Sequence, residues 1–151
     1  MALPVSEYIS LNVLTTLQGL TRAKGYAVDA YAYRLGTNAT PPSIVDGSIE
    51  ITSSPPQRAL QLTGKDEWTM AFDLLAYLNQ ASDTNEPIDK VCNLFAAAMS
   101  KLLMADYARG GYAIDTMLGN VKPFAPGAGQ EGFVFSFTVQ FRTNSDDPYT
   151  L

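Results

Sequence analysis

From Trp68 to Leu78 the chain alternates. Trp68, Met70, Phe72, Leu74, Ala76 and Leu78 fall on one side, while Glu67, Thr69, Ala71, Asp73 and Tyr77 fall on the other. Successive side chains of a strand point to opposite faces of a sheet, so this period of two predicts a strand with one buried face. The pattern returns near the end of the sequence, where Phe133, Phe135, Phe137, Val139 and Phe141 oppose Ser136, Thr138, Gln140 and Arg142. A second long strand of the same kind is expected there.

Two other segments repeat at spacings of three and four. Ile9, Val13, Leu14, Leu17 and Leu20 form one apolar stripe after Ser6, a potential cap. Arg22 and Lys24 complement the negative end of the helix dipole, and Gly25 can take the left-handed conformation that stops a helix. A helix over about residues 7–24 follows. Ile88, Val91, Cys92, Phe95, Met99, Leu102 and Leu103 predict another, running to about Tyr107 and stopped by Gly110 and Gly111. Pro87 suits its first turn after the polar run Gln80 to Glu86, with Asn85 or Thr84 as cap.

The remaining segments are shorter. Tyr26, Val28, Tyr31, Tyr33 and Leu35 predict a strand interrupted at Asp29, and a loop over Gly36 to Pro42 leads to a strand near Ser43 to Thr52 with Ile49 and Ile51 inward. Ser53 to Gln57 holds Pro55 and Pro56, and the following Leu60, Leu62 and Gly64 fit either a long loop or a short extra strand. Tyr112 to Leu118 reads as a strand before a loop containing Pro123, Pro126, Gly127 and Gly129. Asn144 to Leu151 is polar and reads as a mobile or partner-bound tail. The expected order is helix, three strands, helix, two strands. That order defines a single α+β domain over residues 1–151, with an antiparallel-rich sheet and two main helices on one face. Phe135 and Phe137 should pack beneath the helix that carries Phe95 and Met99.

Composition narrows the function. A chain of 151 residues suits one core, and 46% apolar against 17% charged residues is poor in charge for a free monomer, so partners should cover part of its surface. A net charge of -5 with scattered basic residues argues against a nucleic-acid binder, which would neutralise phosphates with clustered Lys and Arg. Cys92 is the only cysteine, which leaves no intrachain disulfide and no cysteine-rich zinc site. Met1 to Ser10 lacks the pattern of a secretory signal, and no run of eighteen apolar residues suggests a membrane span.

Candidate chemistry is thin. With no histidine, the usual general base and the commonest transition-metal ligand are missing. Asp29, Glu50 and Asp73 sit in predicted strands and would serve a carboxylate-dependent enzyme or small-ligand domain only if they lined a deep pocket; they read more simply as solvated charges. Gly127, Gly129 and Gly132 have the G-x-G-x-x-G spacing, but a strand follows where the dinucleotide motif needs a helix. The sequon Asn38-Ala39-Thr40 carries little information without a secretory signal, and Cys92 reads as a small buried hydrophobe. The phenylalanine row reads as core, because a base-stacking platform would sit in a basic groove. No catalytic, cofactor-binding or metal-binding residue is assigned, and no enzymatic activity is expected.

Several segments together resemble the tail terminator and tail completion proteins, or minor tail proteins, of long-tailed bacteriophages. They are the first helix closing at Leu17, Leu20 and Gly25-Tyr26, the segment Pro42-Ser43-Ile44-Val45 leading a strand, and the strand Glu67 to Leu78. The Gly111-Tyr112 turn and the ending Val139-Gln140-Phe141-Arg142-Thr143 before Asp147-Pro148 complete the pattern. The resemblance implies a ring, typically a hexamer, at the head-proximal end of the tail in the virion, built from protein made in the host cytoplasm. Such a ring ends tube growth and presents a surface to the head. Its partners would be further copies, the tail tube protein and a head-completion or neck protein, with DNA passing through without specific binding and no membrane involved. A neck or head-tail connector of the same particle is the alternative. Pro55 to Asp66 and Val121 to Glu131 are long loops for such a domain and read as contact arms, with Arg58 and Lys65 as possible assembly contacts.

Overall fold

The structure, a computed structural model, describes residues 2–37, 46–78, 88–127 and 130–151. In chain order its elements are α1 (Val5–Gln18), β1 (Ala30–Arg34), β2 (Gly47–Ser53), β3 (Gln57–Leu62), β4 (Lys65–Leu78), α2 (Ile88–Ala105), β5 (Asp115–Gly127) and β6 (Gln130–Asn144). The two alternating segments form the centre of the sheet. β4 and β6 pair antiparallel over almost their whole length, from Lys65 opposite Asn144 to Leu78 opposite Glu131. The sheet order is β1-β2-β4-β6-β5, with β1 parallel to β2 and every other pairing antiparallel.

Because the side-chain period is two, this register puts the phenylalanines of β4 and β6, with Met70, Leu74, Leu78 and Val139, on one face. Phe72 and Phe137 stack there with ring centroids 4.9 Å apart and planes 4° from parallel. Ile9, Val13 and Leu17 of α1 and Phe95, Met99 and Leu103 of α2 are fully buried in the same cluster. Phe95 meets Phe133 edge-on at 6.0 Å, and Phe135 and Phe137 lie within that core as expected. The protein is therefore a single α+β domain with both helices on one face of a mixed six-stranded sheet.

Several boundaries differ from the sequence expectation. The extra strand exists: β2 and β3 lie end to end along one edge of β4, β2 against residues 72–78 and β3 against 65–69. Pro55 and Pro56 interrupt this edge because neither can donate a ladder hydrogen bond. The loop expected after Leu118 is instead the outer half of β5, which continues to Gly127 through register shifts at Leu118/Val121 and Phe124/Gly127. Pro123 is tolerated because β5 is the last strand of the sheet order, where one side of the backbone needs no ladder partner.

Helix α1 starts at Val5, with Pro4 in the cap position and no side-chain cap, so Ser6 lies inside the helix. The Val5 N–H donates instead to the Pro148 carbonyl at 2.9 Å. The main helix ends at Gln18, and Arg22 to Lys24 form a separate 3-10 turn closed by left-handed Gly25 (φ 93°). The first strand is confined to Ala30–Arg34, because the Asp29 carboxylate bonds the Arg22 N–H at 2.7 Å. The C-terminal segment is docked: Asn144 N–H reaches the Thr150 carbonyl at 2.8 Å and Asp146 N–H reaches buried Asp66. The sequon, Pro42 to Val45, the proposed caps Thr84 and Asn85, and Pro87 lie outside the described residues.

Candidate interaction surface

Alternation that fills one face with phenylalanine leaves the other face to different residues. No described helix covers that second face. It carries Tyr31 and Tyr33 from β1, Glu50 and Thr52 from β2, Asp73, Leu75 and Tyr77 from β4, Val134, Ser136 and Thr138 from β6, and Met117 and Lys122 from β5. The pairing register aligns five of them in one cross-strand row: Tyr33, Glu50, Leu75, Val134 and Lys122.

The row is electrically lopsided. At one end the Tyr33 hydroxyl donates to Glu50 Oε2 at 3.1 Å, and the rings of Tyr31 and Tyr33 lie 6.1 Å apart. Burial, reinforced by the Glu50 carboxylate, pushes the Tyr33 phenol up to about 12. Tyr77, diagonal to Glu50 on the next strand, is raised by the same two causes. At the other end Lys122 is exposed and has no ion-pair or hydrogen-bond partner among the described residues.

The three candidate carboxylates do not converge. Asp29 precedes β1 and pairs with Arg22 at 3.1 Å, in a cluster that also brings Asp46 to 2.9 Å from the same guanidinium. Glu50 accepts from Tyr33, and Asp73 accepts from Ser136 Oγ at 2.7 Å, so each is satisfied by a neutral hydroxyl on a half-open sheet surface. None lines either described cavity. One, about 310 Å³, lies between α2 and the β5–β6 pair against Asp89, Cys92, Asn93, Ala96, Val121, Pro123, Gly132 and Phe133. The other, about 110 Å³, is bounded by Ser6, Pro56, Trp68, Phe141, Thr143 and Pro148. Among the described residues no cluster of three His, Cys, Asp or Glu could hold a metal.

Arg58 and Lys65, the possible assembly contacts, both have partners within the chain. The Arg58 guanidinium lies 5.1 Å from the Trp68 ring centroid and 3.3 Å from Asp66, whose side chain is 1% exposed, with Asp146 at 3.9 Å. Lys65 Nζ donates to Asn144 Oδ1 at 2.6 Å. Both therefore hold the β3–β4 hairpin and the C-terminal segment to the domain. Cys92 is only partly buried, on the wall of the larger cavity. Gly127 and Gly132 belong to the antiparallel β5–β6 pair, a context without the helix N-terminus that dinucleotide binding requires, and Gly129 lies outside the described residues.

One buried charge was not legible as special. Arg109 is fully buried with φ 48°, and its Nη2 donates to the Leu103 carbonyl in the last turn of α2. A cation there complements the negative helix end, while burial pushes the guanidinium pKa down. The Tyr33-to-Lys122 row was equally invisible in the sequence, since only strand register brings those positions into line.

No described helix is long and apolar enough to cross a membrane. Comparisons with protein-family models and with curated protein sequences find no match.

Proposed function

We propose that this chain is a tail terminator: a structural virion protein that forms a ring, of six copies by the resemblance, on the head-proximal end of a phage tail tube. The observation that supports this reading most is the helix-free sheet face lying between two open strand edges. β5 ends the sheet on one side and exposes Met117, Leu118 and Val121; on the other side β1 ends it, and β3, paired only with β4 among the described residues, exposes Arg58 and Leu60. Unprotected edges and exposed apolar residues are liabilities in a free monomer and natural surfaces for assembly. Different surfaces at the two ends suit a head-to-tail interface, which closes into a ring when the rotation permits. The scattered acidic charge is compatible with DNA sliding past without binding.

A particle lacking only this protein tests the role. Full heads beside unattached tails, with tubes of irregular or excess length, are the expected outcome. Unattached heads with tubes of normal length would shift the assignment to a neck connector, and normal attached tails would remove it.

A further inference from the structure

We propose that the two ends of the Tyr33-to-Lys122 row complement each other between copies, the Lys122 ammonium of one chain seating on Glu50 and the Tyr33 ring of the next. The pairing rests on the ring reading above, because it needs copies arranged head to tail. It begins from an imbalance within one copy. Glu50 has a hydroxyl partner, Tyr33, and no cation among the described residues, while Lys122 has no partner there. Three strand spacings separate the two in the order β2-β4-β6-β5. At about 4.8 Å per spacing they stand roughly 14 Å apart, beyond the reach of a lysine side chain. The domain cannot neutralise this pair by itself.

A neighbouring copy can. Tyr33, Glu50, Leu75, Val134 and Lys122 share one row, so both partners lie at the same height along the strands and on the same helix-free face. If sheets meet end to end without vertical shift, Lys122 at the β5 end arrives at Tyr33 and then Glu50 at the β1 end. The receiving site suits an ammonium group. Its carboxylate supplies the countercharge, and the Tyr31 and Tyr33 rings offer π-faces that attract a cation once water is excluded. The raised phenols of Tyr33 and Tyr77 agree with a site whose negative charge has no local cation to offset it.

Carbodiimide treatment of the wild-type protein tests the contact, because it joins a carboxylate and an amine only where they touch. Mass spectrometry of the joined oligomers should find a Glu50–Lys122 link between chains. In sedimentation, Glu50→Lys and Lys122→Glu should each weaken self-association about tenfold or more, since each sets like charges face to face. The Glu50→Lys, Lys122→Glu double variant should recover it, which also excludes misfolding as the cause of the single losses. An associating wild type that lacks this link, that links Lys122 to the tube protein instead, or that is indifferent to both reversals overturns the pairing and leaves the ring reading intact. A wild type that never associates, alone or on tubes, overturns both.

Discussion

The two faces of this sheet are built from adjacent residues of the same strands. Phe137 is 1% exposed and stacks on Phe72, while Thr138, the next residue, lies on the half-open opposite face. The helix-covered face is filled with large side chains in mutual contact, as a close-packed core requires. The bare face holds hydroxyls, single carboxylates, a lysine, tyrosines and separate aliphatic side chains such as Leu75, Val134 and Met117, which do not gather into a core. Together they teach that the first face carries the fold, while the second is left half-open by the described helices.

The largest test of that contrast is a pair of truncations. Phe137→Ala should cost about 3–5 kcal/mol, from lost transfer energy and the cavity left behind, whereas Thr138→Ala should change stability by about 0.5 kcal/mol or less. Urea unfolding of both variants checks this directly. Equal losses would show that the bare face is also structural.

Arg58→Glu comes next. It removes the cation from Asp66, whose side chain is 1% exposed, and places a like charge against it. A fully buried pair broken this way costs about 3–5 kcal/mol, but Arg58 is partly open to water, so about 2 kcal/mol is expected. A stable variant with weakened assembly would instead make Arg58 an assembly contact. Gly64→Ala, in the turn between β3 and β4 where φ is 77°, should cost about 1 kcal/mol by strain alone, since open space surrounds the site.

The smallest effect is one of pH. Tyr33 is an acid whose folded pKa is raised from 10 to about 12, so folding favours its neutral form. Its contribution to stability is present below pH 10 and is lost as pH rises toward 12. Absorbance titration of the phenolate band should show a late step that shrinks in Tyr33→Phe, which leaves the raised Tyr77, and moves down in Glu50→Gln. A Tyr33 that ionises with the exposed tyrosines would contradict the coupling.

Much of the architecture was legible in the sequence. β4 and β6 were read directly because each buries one face only, which forces strict alternation. α2 was equally plain, with Phe95, Met99 and Leu103 at helical spacing and all fully buried. β3 was ambiguous for a physical reason: Gln57 to Gln61 are all exposed, so no buried face imposed a period, and hydrogen bonds to β4 alone make it a strand. The outer half of β5 was hidden by Pro123 and two register shifts, which an edge strand tolerates and a central one does not. The Ser6 cap failed because the first turn of α1 is satisfied from Pro148, a contact between opposite ends of the chain. The contacts that Arg58 and Lys65 make within the chain were not legible either, since Asp146 and Asn144 are distant from them in sequence. The Tyr33-to-Lys122 row depends on four strand registers at once, information that no local pattern contains.

The central claim is that the bare face and open edges belong to a ring. Native mass measurement combined with electron-microscope imaging, on the purified protein and on the protein bound to tail tubes, tests it most directly. The account predicts a closed ring of a fixed number of copies with a central hole, seen at least at one end of the tube. A protein that remains monomeric in both conditions would contradict it.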